Sequence, residues 1–493
     1  MKNQVQLITY VDRLTAGGID DLTNMLNKPL EDLFAGVHIL PFFYPIDGSD
    51  AGFDPIDHAQ VDERLGSWDS LKALGHQSEI MADLIVNHAS GQSPEFLDVL
   101  SKGEGSEYWS MFLKEQDVFP DGITKEQAQQ IYRPRPGSCF SEKQLESGEK
   151  INFWATFTDN QIDINVESPA GKAYLEKVLK LFSENGVKII RLDAAGYAIK
   201  RAGTSCFMTD EAFAFINQLS ERANELGMET VAEIHSYYKT QIDVAKKVNR
   251  VYDFALPPLI LHSLFTNNVD ALVSWLKIAP RNCLTVLDTH DGIGIIDAGP
   301  QGDKPGLLNA DEIDNLVESI HENSQGQSRK ATGAAASNVD LYQVNCTYYD
   351  ALARNDLHYI FARAIQFFSP GVPQVYYGGL FAMQNDMDLL ERTNVGRDIN
   401  RPYLTPEIVA DRKELPVVKG LCKLIEIRNS SSAFDGKFSV NYIDNQLVLA
   451  WLNGTSEAAL YLNLENQSGI VAIKEGIAIR HYDLVSLAAG EAK

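Results

Sequence analysis

The feature that most constrains the fold of this chain is a series of eight short apolar runs separated by longer helical patterns. Each run is four to eight residues long, rich in Val, Ile, Leu or Tyr, and mostly lacks polar alternation, which is typical of a parallel strand buried on both faces. The runs are Val5–Tyr10, Gly36–Pro41, Ile80–Val86, Val187–Leu192, Thr230–Ile234, Val251–Phe254, Cys283–Leu287 and Gln374–Tyr377. Amphipathic stretches such as Ala170–Ser183 and Asp210–Leu226 lie between them. Strands that alternate with helices indicate an α/β fold, and eight such units favour a (β/α)8 TIM barrel over a doubly wound sheet.

Two segments between the strands are too long for simple loops, and they predict two inserted, loop-rich subdomains. Inserts of this length are usually functional, and after the C-terminal end of a barrel strand they lie over the active-site mouth. From residue 434, short alternating runs divided by Asn and Gly turns predict a C-terminal antiparallel β domain. The expected division is three barrel segments (1–86, 169–292 and 354–433), two inserts (87–168 and 293–353) and the β domain (434–493).

Composition and charge exclude several classes of function. The chain is 44% hydrophobic and 22% charged, which is ordinary for a compact enzyme and excludes a disordered chain. Its net charge of −24 repels nucleic acid and anionic membrane surfaces at long range, so neither is an expected partner. The five cysteines are scattered without CxxC spacing and the N-terminus lacks a signal-peptide pattern, so we expect a cytoplasmic location.

Carboxylates follow three of the predicted strands at their C-terminal ends. Asp193, Glu233 and Asp291 come after the fourth, fifth and seventh strands, and in a closed barrel these ends share one rim. A single acid in such a position is more often a helix cap or a salt-bridge partner, here for Arg191. Three acids at equivalent strand ends, with histidines between them, favour a functional role over a structural one. Burying acids costs free energy unless they are paired, protonated or needed for catalysis. The sequence therefore predicts an acid-based active site at this rim.

Several segments resemble those of a known enzyme family. The sets Asp83…His88, Arg191-Leu-Asp193, Glu233 and His290-Asp291 resemble four short regions of the α-amylase superfamily of glycoside hydrolases. Longer segments are similar to those of the sucrose phosphorylase family: 47–59, 61–69, 133–137, 195–207, 331–344 and 396–401. The resemblance runs from Val5 to about residue 440. It implies a reversible, retaining conversion of sucrose and inorganic phosphate into α-D-glucose 1-phosphate and fructose, without a cofactor or a metal.

The resemblance assigns a role to each of the three acids. Asp193 resembles the family's nucleophile, Glu233 its general acid/base, and Asp291 the acid that stabilises the transition state. A retaining glycosyl transfer needs two carboxyl groups about 5–5.5 Å apart, one to attack the anomeric carbon and one to protonate the leaving oxygen. Glu233 must keep its proton near neutral pH, which ionised neighbours favour. Arg191, two residues before Asp193 and on the same face of its strand, would keep the nucleophile ionised.

The resemblance also implies a pocket for the glucosyl group. The residues similar to the family's hydroxyl-binding groups are Asp50, His88, His290 and Arg397, and those similar to its apolar walls are Phe53, Phe157 and Tyr197. Carboxylate and guanidinium groups suit this task, since each can serve two vicinal hydroxyls at once. Two alternatives stay open at this point, because His88 can equally be a satisfied core histidine and Phe157 a core residue.

The acceptor side of the pocket must bind an anion close to the three acids. Phosphate has to enter a site that already holds three acids, so a cationic or hydrogen-bonding clamp is required. By resemblance, Arg135 and Tyr342 face phosphate, Asp340 and Gln343 face fructose, and His235 belongs to the same side. Because Asp340 repels phosphate, we expect the loop 340–343 to have two arrangements, one for each acceptor.

Several rival readings remain open on the sequence alone. A sister phosphorylase would release fructose 6-phosphate, glycerol or glycerate, and an amylase-like hydrolase would pass the glucosyl group to water. A non-catalytic barrel subunit of a transporter is disfavoured, because that class lacks the full acid set. Many amylases bind calcium through an Asn at the place of Asn87, but no acidic cluster between 100 and 168 has calcium-loop spacing, so Asn87 is expected to be a hydrogen-bonding residue. A homodimer is compatible with the sequence.

Overall fold

The structure is a computed structural model that describes residues 1–48, 50–133, 137–332 and 343–491. Eight parallel strands close into one barrel in which each strand pairs with its neighbours along the chain, and β8 returns to β1. The strands are β1 (Gln6–Thr9), β2 (Gly36–Ile39), β3 (Glu79–Ile85), β4 (Val187–Asp193), β5 (Glu229–Ala232), β6 (Arg250–Asp253), β7 (Cys283–Thr285) and β8 (Val372–Tyr376). The predicted (β/α)8 barrel is confirmed.

The strands form where apolar residues are buried on both faces. Every residue of β1 and of β8 is buried, so the runs show none of the polar alternation of a half-exposed strand. The prediction for β7 extends two residues too far: Val286 and Leu287 are buried but lie beyond the strand. An apolar run in the sequence indicates that its residues are buried. Here the chain stays buried for two residues after its pairing with the neighbouring strands has ended.

Helices surround the barrel and connect its strands. After β1 to β4 they are Val11–Thr15, Ile19–Asn27, Trp68–Gly75, Pro169–Glu184 and Asp210–Glu225. After β5 to β7 they are Tyr238–Ala245, Leu256–Thr266, Asp270–Ile278 and Asp356–Phe368. After β8 they are Tyr377–Leu380, Met387–Thr393, Pro406–Lys413 and Pro416–Ser430. The long helix before β4 starts with a Ser168 cap and Pro at its first position, a common helix start signal.

Each insert is tied to the barrel rim by a short antiparallel ladder. In the first, His88–Ser90 pairs with Gln161–Asp163, and in the second, Ile293–Gly294 pairs with Gln343–Val344. The first also holds helices Pro94–Lys102, Glu115–Val118 and Lys125–Gln130 and a hairpin, Phe140–Gln144 with Lys150–Trp154. The second holds helices Ala310–Asn323, Gln327–Lys330 and Tyr348–Ala351. A further two-stranded ladder after β2 pairs Phe43–Tyr44 with Asp57–Val61. The ladders carry insert residues to the strand ends where the acids lie.

The C-terminal part is an antiparallel meander, as the alternating runs predict. Its strands, in order, are β9 (Lys437–Ile443), β10 (Gln446–Asn453), β11 (Ser456–Asn463), β12 (Ser468–Glu475) and β13 (Ala478–Asp483), followed by the helix Leu484–Ala488. The Trp451 indole donates to the Phe368 carbonyl at 2.7 Å, which joins the sheet to a barrel helix. Within the described ranges, no helix has the length and apolar character needed to cross a membrane.

Candidate active site

The C-terminal ends of the barrel strands open into a cavity. Asp193 is the last residue of β4, Glu233 directly follows β5, and Asp291 lies in the loop after β7. The predicted site residues that line this cavity are Asp50, Phe53, His88, Phe157, Arg191, Asp193, Tyr197, Glu233, His235, His290, Asp291 and Arg397. Gln343 lies beside it and contacts His235, whereas Arg135, Asp340 and Tyr342 lie outside the described residues.

Arg191 connects the two acids that the sequence pairs. Its Nη1 lies 2.8 Å from Asp193 Oδ1, and its Nη2 lies 3.8 Å from Glu233 Oε1. Arg191 is also beside Asp83 in the β3–β4 ladder, and its Nη1 lies 2.5 Å from Asp83 Oδ1. His38 holds the other Asp83 oxygen at 2.9 Å. The buried guanidinium of Arg191 therefore lies near both Asp193 and Glu233, and the buried carboxylate of Asp83 holds it in place.

Burial and charge determine how protons are held at this pair. Burial raises the pKa of Asp193 to about 8, while Arg191 lowers it and the adjacent Glu233 raises it. Burial outweighs Arg191 here, so Asp193 ionises less readily than an exposed carboxyl group does. At Asp83, burial opposes the effect of His38 and Arg191, which nevertheless lower the pKa to about 2. Asp83 is thus a permanent anion that keeps Arg191 in place.

Asp291 is held as an anion by guanidinium groups from the loop after β8. Arg397 Nη1 lies 2.7 Å from its Oδ1, and Arg401 Nη2 lies 3.8 Å from the same oxygen. Burial alone raises the pKa of Asp291, but Arg397, His290 and Arg401 outweigh it and hold the pKa far below its usual range. Asn400 donates to the Asp291 carbonyl at 2.7 Å and fixes the backbone. A permanent negative charge therefore lies beside the Asp193–Glu233 pair.

The predicted sugar-binding groups line the same cavity as the acids. The Gln161 amide lies 3.2 Å from Asp50 Oδ2 and 3.0 Å from His88 Nε2, so the first insert joins these two groups. The Phe53 ring stacks on His290, with ring centroids 4.8 Å apart. Burial lowers the pKa of His88, and it lowers that of His290 to about 3. Both histidines are therefore neutral near pH 7 and act as hydrogen-bonding groups.

His235 is held at the side of Glu233 by residues of the second insert. Its Nδ1 lies 2.9 Å from Asp297 Oδ2, and its ring stacks on Phe254 with centroids 3.8 Å apart. Its Nε2 lies 3.8 Å from Glu233 Oε1 and 3.3 Å from Gln343 Nε2. Burial lowers the pKa of His235, but the carboxylates of Asp297, Glu233 and Asp291 outweigh it, and the pKa is raised.

The residues of the cavity that the sequence reasoning missed include Tyr132, Gln161 and Phe207. Tyr132 and Phe207 pack together with Tyr197, with centroids 4.8 Å apart for Tyr132–Phe207 and 4.6 Å for Tyr197–Phe207. Phe207 ends a segment that resembles the family, and Tyr132 directly precedes another, so their positions next to such segments were a usable signal. Gln161 had none, because only the ladder to His88–Ser90 brings it to the site.

Asn87 is a hydrogen-bonding residue whose partner is an ammonium group. Lys200 Nζ lies 2.8 Å from Asn87 Oδ1 and 2.5 Å from Asp163 Oδ2, and it also contacts the Tyr197 carbonyl. This buried lysine links β3, the first insert and a wall of the cavity through a single cation. The Lys200 ammonium group thus binds the side-chain oxygens of Asn87 and Asp163 where a bound metal cation would otherwise contact them.

One group among the described residues has the spacing of metal ligands: Glu233, His235 and Asp291 offer atoms within 4.8 Å of one another. Its electrostatics favour a different use. Arg397 already neutralises Asp291, Arg191 lies near Glu233, and Asp297 engages His235. Two guanidinium groups this close would repel a divalent cation, so the set suits a neutral substrate on which charge develops during reaction.

Comparison with known proteins agrees with this geometry. The family model "Alpha amylase, catalytic domain" matches residues 17–253. The chain is 58% identical to a sucrose phosphorylase of Agrobacterium vitis, over 94% of this chain and 95% of that protein. It is 52% identical to a sucrose phosphorylase of Bifidobacterium adolescentis, over 95% and 94%. The crystal structure of a sucrose 6F-phosphate phosphorylase from Thermoanaerobacter thermosaccharolyticum superposes with a TM-score of 0.90, at 36% identity and 98% coverage of both chains. The chain belongs to the sucrose phosphorylase family, within the α-amylase superfamily.

Proposed function

We propose that this enzyme catalyses the reversible phosphorolysis of sucrose to α-D-glucose 1-phosphate and fructose, with retention at the anomeric carbon. The observation that carries the proposal is one guanidinium, Arg191, that lies within 4 Å of both Asp193 and Glu233 at the barrel mouth of a chain 58% identical to a sucrose phosphorylase. Two carboxyl groups on either side of the scissile bond are what a retaining glycosyl transfer requires.

In the first half-reaction, a carboxylate oxygen of Asp193 attacks the anomeric carbon of sucrose. The bond from that carbon to the fructosyl oxygen breaks, and Glu233 transfers its proton to this oxygen. Arg191 lies 2.8 Å from Asp193 and 3.8 Å from Glu233, so its positive charge stabilises a carboxylate on Asp193 more than one on Glu233. The anionic Asp291 stabilises the positive charge that develops on the glucosyl ring.

In the second half-reaction, a phosphate oxygen attacks the anomeric carbon of the β-glucosyl–Asp193 intermediate. The bond to Asp193 breaks, and Glu233 takes the proton from the attacking phosphate, which returns both acids to their starting state. Two inversions at one carbon give overall retention. Arg135 and Tyr342 are proposed to bind this phosphate, and Asp340 and Gln343 to bind fructose.

The cavity offers both charged and neutral side chains that can bind a glucosyl group. Asp50 and Arg397 flank the cavity as groups that can each serve two hydroxyls. His88 and His290 add neutral hydrogen-bonding atoms, and Phe53 supplies an apolar face backed by His290. Phe157 and Tyr197 line the cavity together, with centroids 5.3 Å apart, which favours a wall of the pocket over a role confined to the core.

The test is to incubate the purified protein with sucrose, with and without phosphate, and to measure glucose 1-phosphate, glucose and fructose. We expect glucose 1-phosphate and fructose in equal amounts only when phosphate is present. Release of free glucose at the same rate in both samples would overturn the proposal in favour of an amylase-like hydrolase. Parallel assays with sucrose 6′-phosphate, glucosylglycerol and glucosylglycerate test the sister phosphorylases, each of which would require its own substrate to be clearly preferred over sucrose.

Two further properties are proposed from the sequence alone. The enzyme is a homodimer, which light scattering on the purified protein tests, and it acts in the cytoplasm, which fractionation of the source cells tests.

A further inference from the structure

Asp297 is a carboxylate near the cavity with three hydrogen-bond partners, although it does not line the cavity. It is fully buried and lies beyond the short ladder that starts the second insert. Its Oδ2 lies 2.9 Å from His235 Nδ1, and its Oδ1 accepts from the Ser236 backbone N–H at 3.0 Å and the Gln241 amide at 2.8 Å. Three bonds to one side chain leave the carboxylate a single orientation.

This arrangement decides which nitrogen of His235 carries a proton. An ionised carboxylate can only accept hydrogen bonds, so Nδ1 must be the donor to Asp297. Nε2 then faces the cavity, between Glu233 Oε1 at 3.8 Å and the Gln343 amide at 3.3 Å. Gln343 Oε1 accepts from the Gly292 N–H at 3.1 Å, which turns the NH2 group of Gln343 toward His235.

A glycine makes room for the pair of side chains. A Cβ at Gly294 would lie 2.7 Å from Asp297 Oδ2 and 3.1 Å from His235 Nδ1, which are the two atoms that form the bond. Both contacts are tighter than normal packing allows. Gly294 pairs with Gln343 in the ladder. The same glycine therefore contacts the His235–Asp297 pair and positions the backbone of Gln343.

We propose that Asp297 is a positioning residue for the phosphate half-reaction, acting through His235. It directs His235 Nε2 toward the acceptor side of Glu233. As phosphate enters, Nε2 gives up its contact with the Gln343 amide, takes up a proton from the solvent, and donates a hydrogen bond to a phosphate oxygen. The inference rests on the proposed phosphorolysis and adds to it a residue that the sequence did not single out.

The charges of the cavity explain why phosphate, more than fructose, depends on this pair. Among the described residues, the two arginines that line it are already bound to acids, Arg191 to Asp83 and Asp193, and Arg397 to Asp291. A phosphate approaching Glu233 therefore meets carboxylates whose charge must be offset locally. An imidazolium backed by Asp297 supplies that offset, whereas fructose is neutral and needs only hydrogen bonds.

The decisive experiment separates the two half-reactions in an Asp297→Asn variant. We expect the KM for phosphate to rise at least tenfold, within the range of about 10–100-fold seen when outer partners of functional groups are removed. The rate of fructose release in a single turnover without phosphate should stay within about threefold of wild type. Equal losses in both measurements, or an unchanged KM for phosphate, would overturn the inference.

Matched variants separate positioning from stability. Gln241→Met removes a buried bond from the other Asp297 oxygen without touching His235, so it should leave the KM for phosphate within about twofold. Gly294→Ala puts a methyl group between His235 and Asp297 while keeping the carboxylate, and it should reproduce the Asp297→Asn result. It also serves as the test if Asp297→Asn does not fold.

A double-variant cycle isolates the route through His235. In a His235→Ala background, Asp297→Asn should change the KM for phosphate by less than about twofold, because the group it orients is gone. Independent, multiplicative losses would refute an action through His235. A wild-type enzyme without phosphate-dependent product would instead refute the proposed phosphorolysis, so the two failures are distinguishable.

Discussion

Replacing Lys200 with Met tests whether one buried ammonium holds the first insert to the barrel. The side chains of Lys200 and Asp163 are 2% and 0% exposed, and they lie 2.5 Å apart. Met keeps most of the aliphatic volume but leaves Asp163 as a buried charge without its cation. Breaking a buried pair from one side costs about 3–5 kcal/mol. The hydrogen bonds to Asn87 and to the Tyr197 carbonyl are lost as well.

The expected shift in Tm follows from the size of the chain. Unfolding entropy is about 2 cal/mol/K per residue, so for 493 residues one kcal/mol corresponds to about 1 °C. We therefore expect Lys200→Met to lower the Tm by about 3–5 °C in differential scanning calorimetry. Lys150→Met is the control, since Lys150 and Glu142 form a pair at 2.7 Å that is more than half exposed on both sides, and exposed pairs contribute little.

A second substitution identifies the cause of the loss. Adding Asp163→Asn to Lys200→Met removes the uncompensated charge, so the double variant should be more stable than the sum of the two single losses predicts. A Lys200→Met shift no larger than that of Lys150→Met would refute the reasoning, as would strictly additive losses in the double variant.

The remaining predictions concern catalysis. Asp193→Asn should reduce sucrose turnover below about a thousandth of wild type, because an amide cannot attack the anomeric carbon; higher residual turnover would contradict the nucleophile role. Glu233→Gln should slow reaction with sucrose far more than with glucosyl fluoride, whose leaving group needs little protonation, and equal losses on both substrates would contradict the acid role. Arg135→Ala should raise the KM for phosphate strongly and leave single-turnover fructose release nearly intact, whereas parallel losses would indicate that Arg135 only supports the barrel mouth.

The sequence by itself determined the barrel and the location of its chemistry. Strand burial and helix amphipathicity are local patterns, so eight apolar runs were enough to predict a (β/α)8 barrel. The C-terminal ends of its strands meet at one rim, so the positions of Asp193, Glu233 and Asp291 followed from chain order. The resemblance to a family then added predicted sugar-binding groups and acceptor-side groups. Twelve of the predicted site residues line one cavity.

Only the tertiary structure decided which side chains support these groups. Asp297 is 62 positions from His235, Gln161 is 111 from Asp50, and Lys200 is 113 from Asn87. No local pattern marks such partners, because each of them is an ordinary polar residue until folding brings the inserts to the rim. The raised pKa of Asp193 likewise depends on burial and on the neighbouring charges, and both are properties of the folded chain.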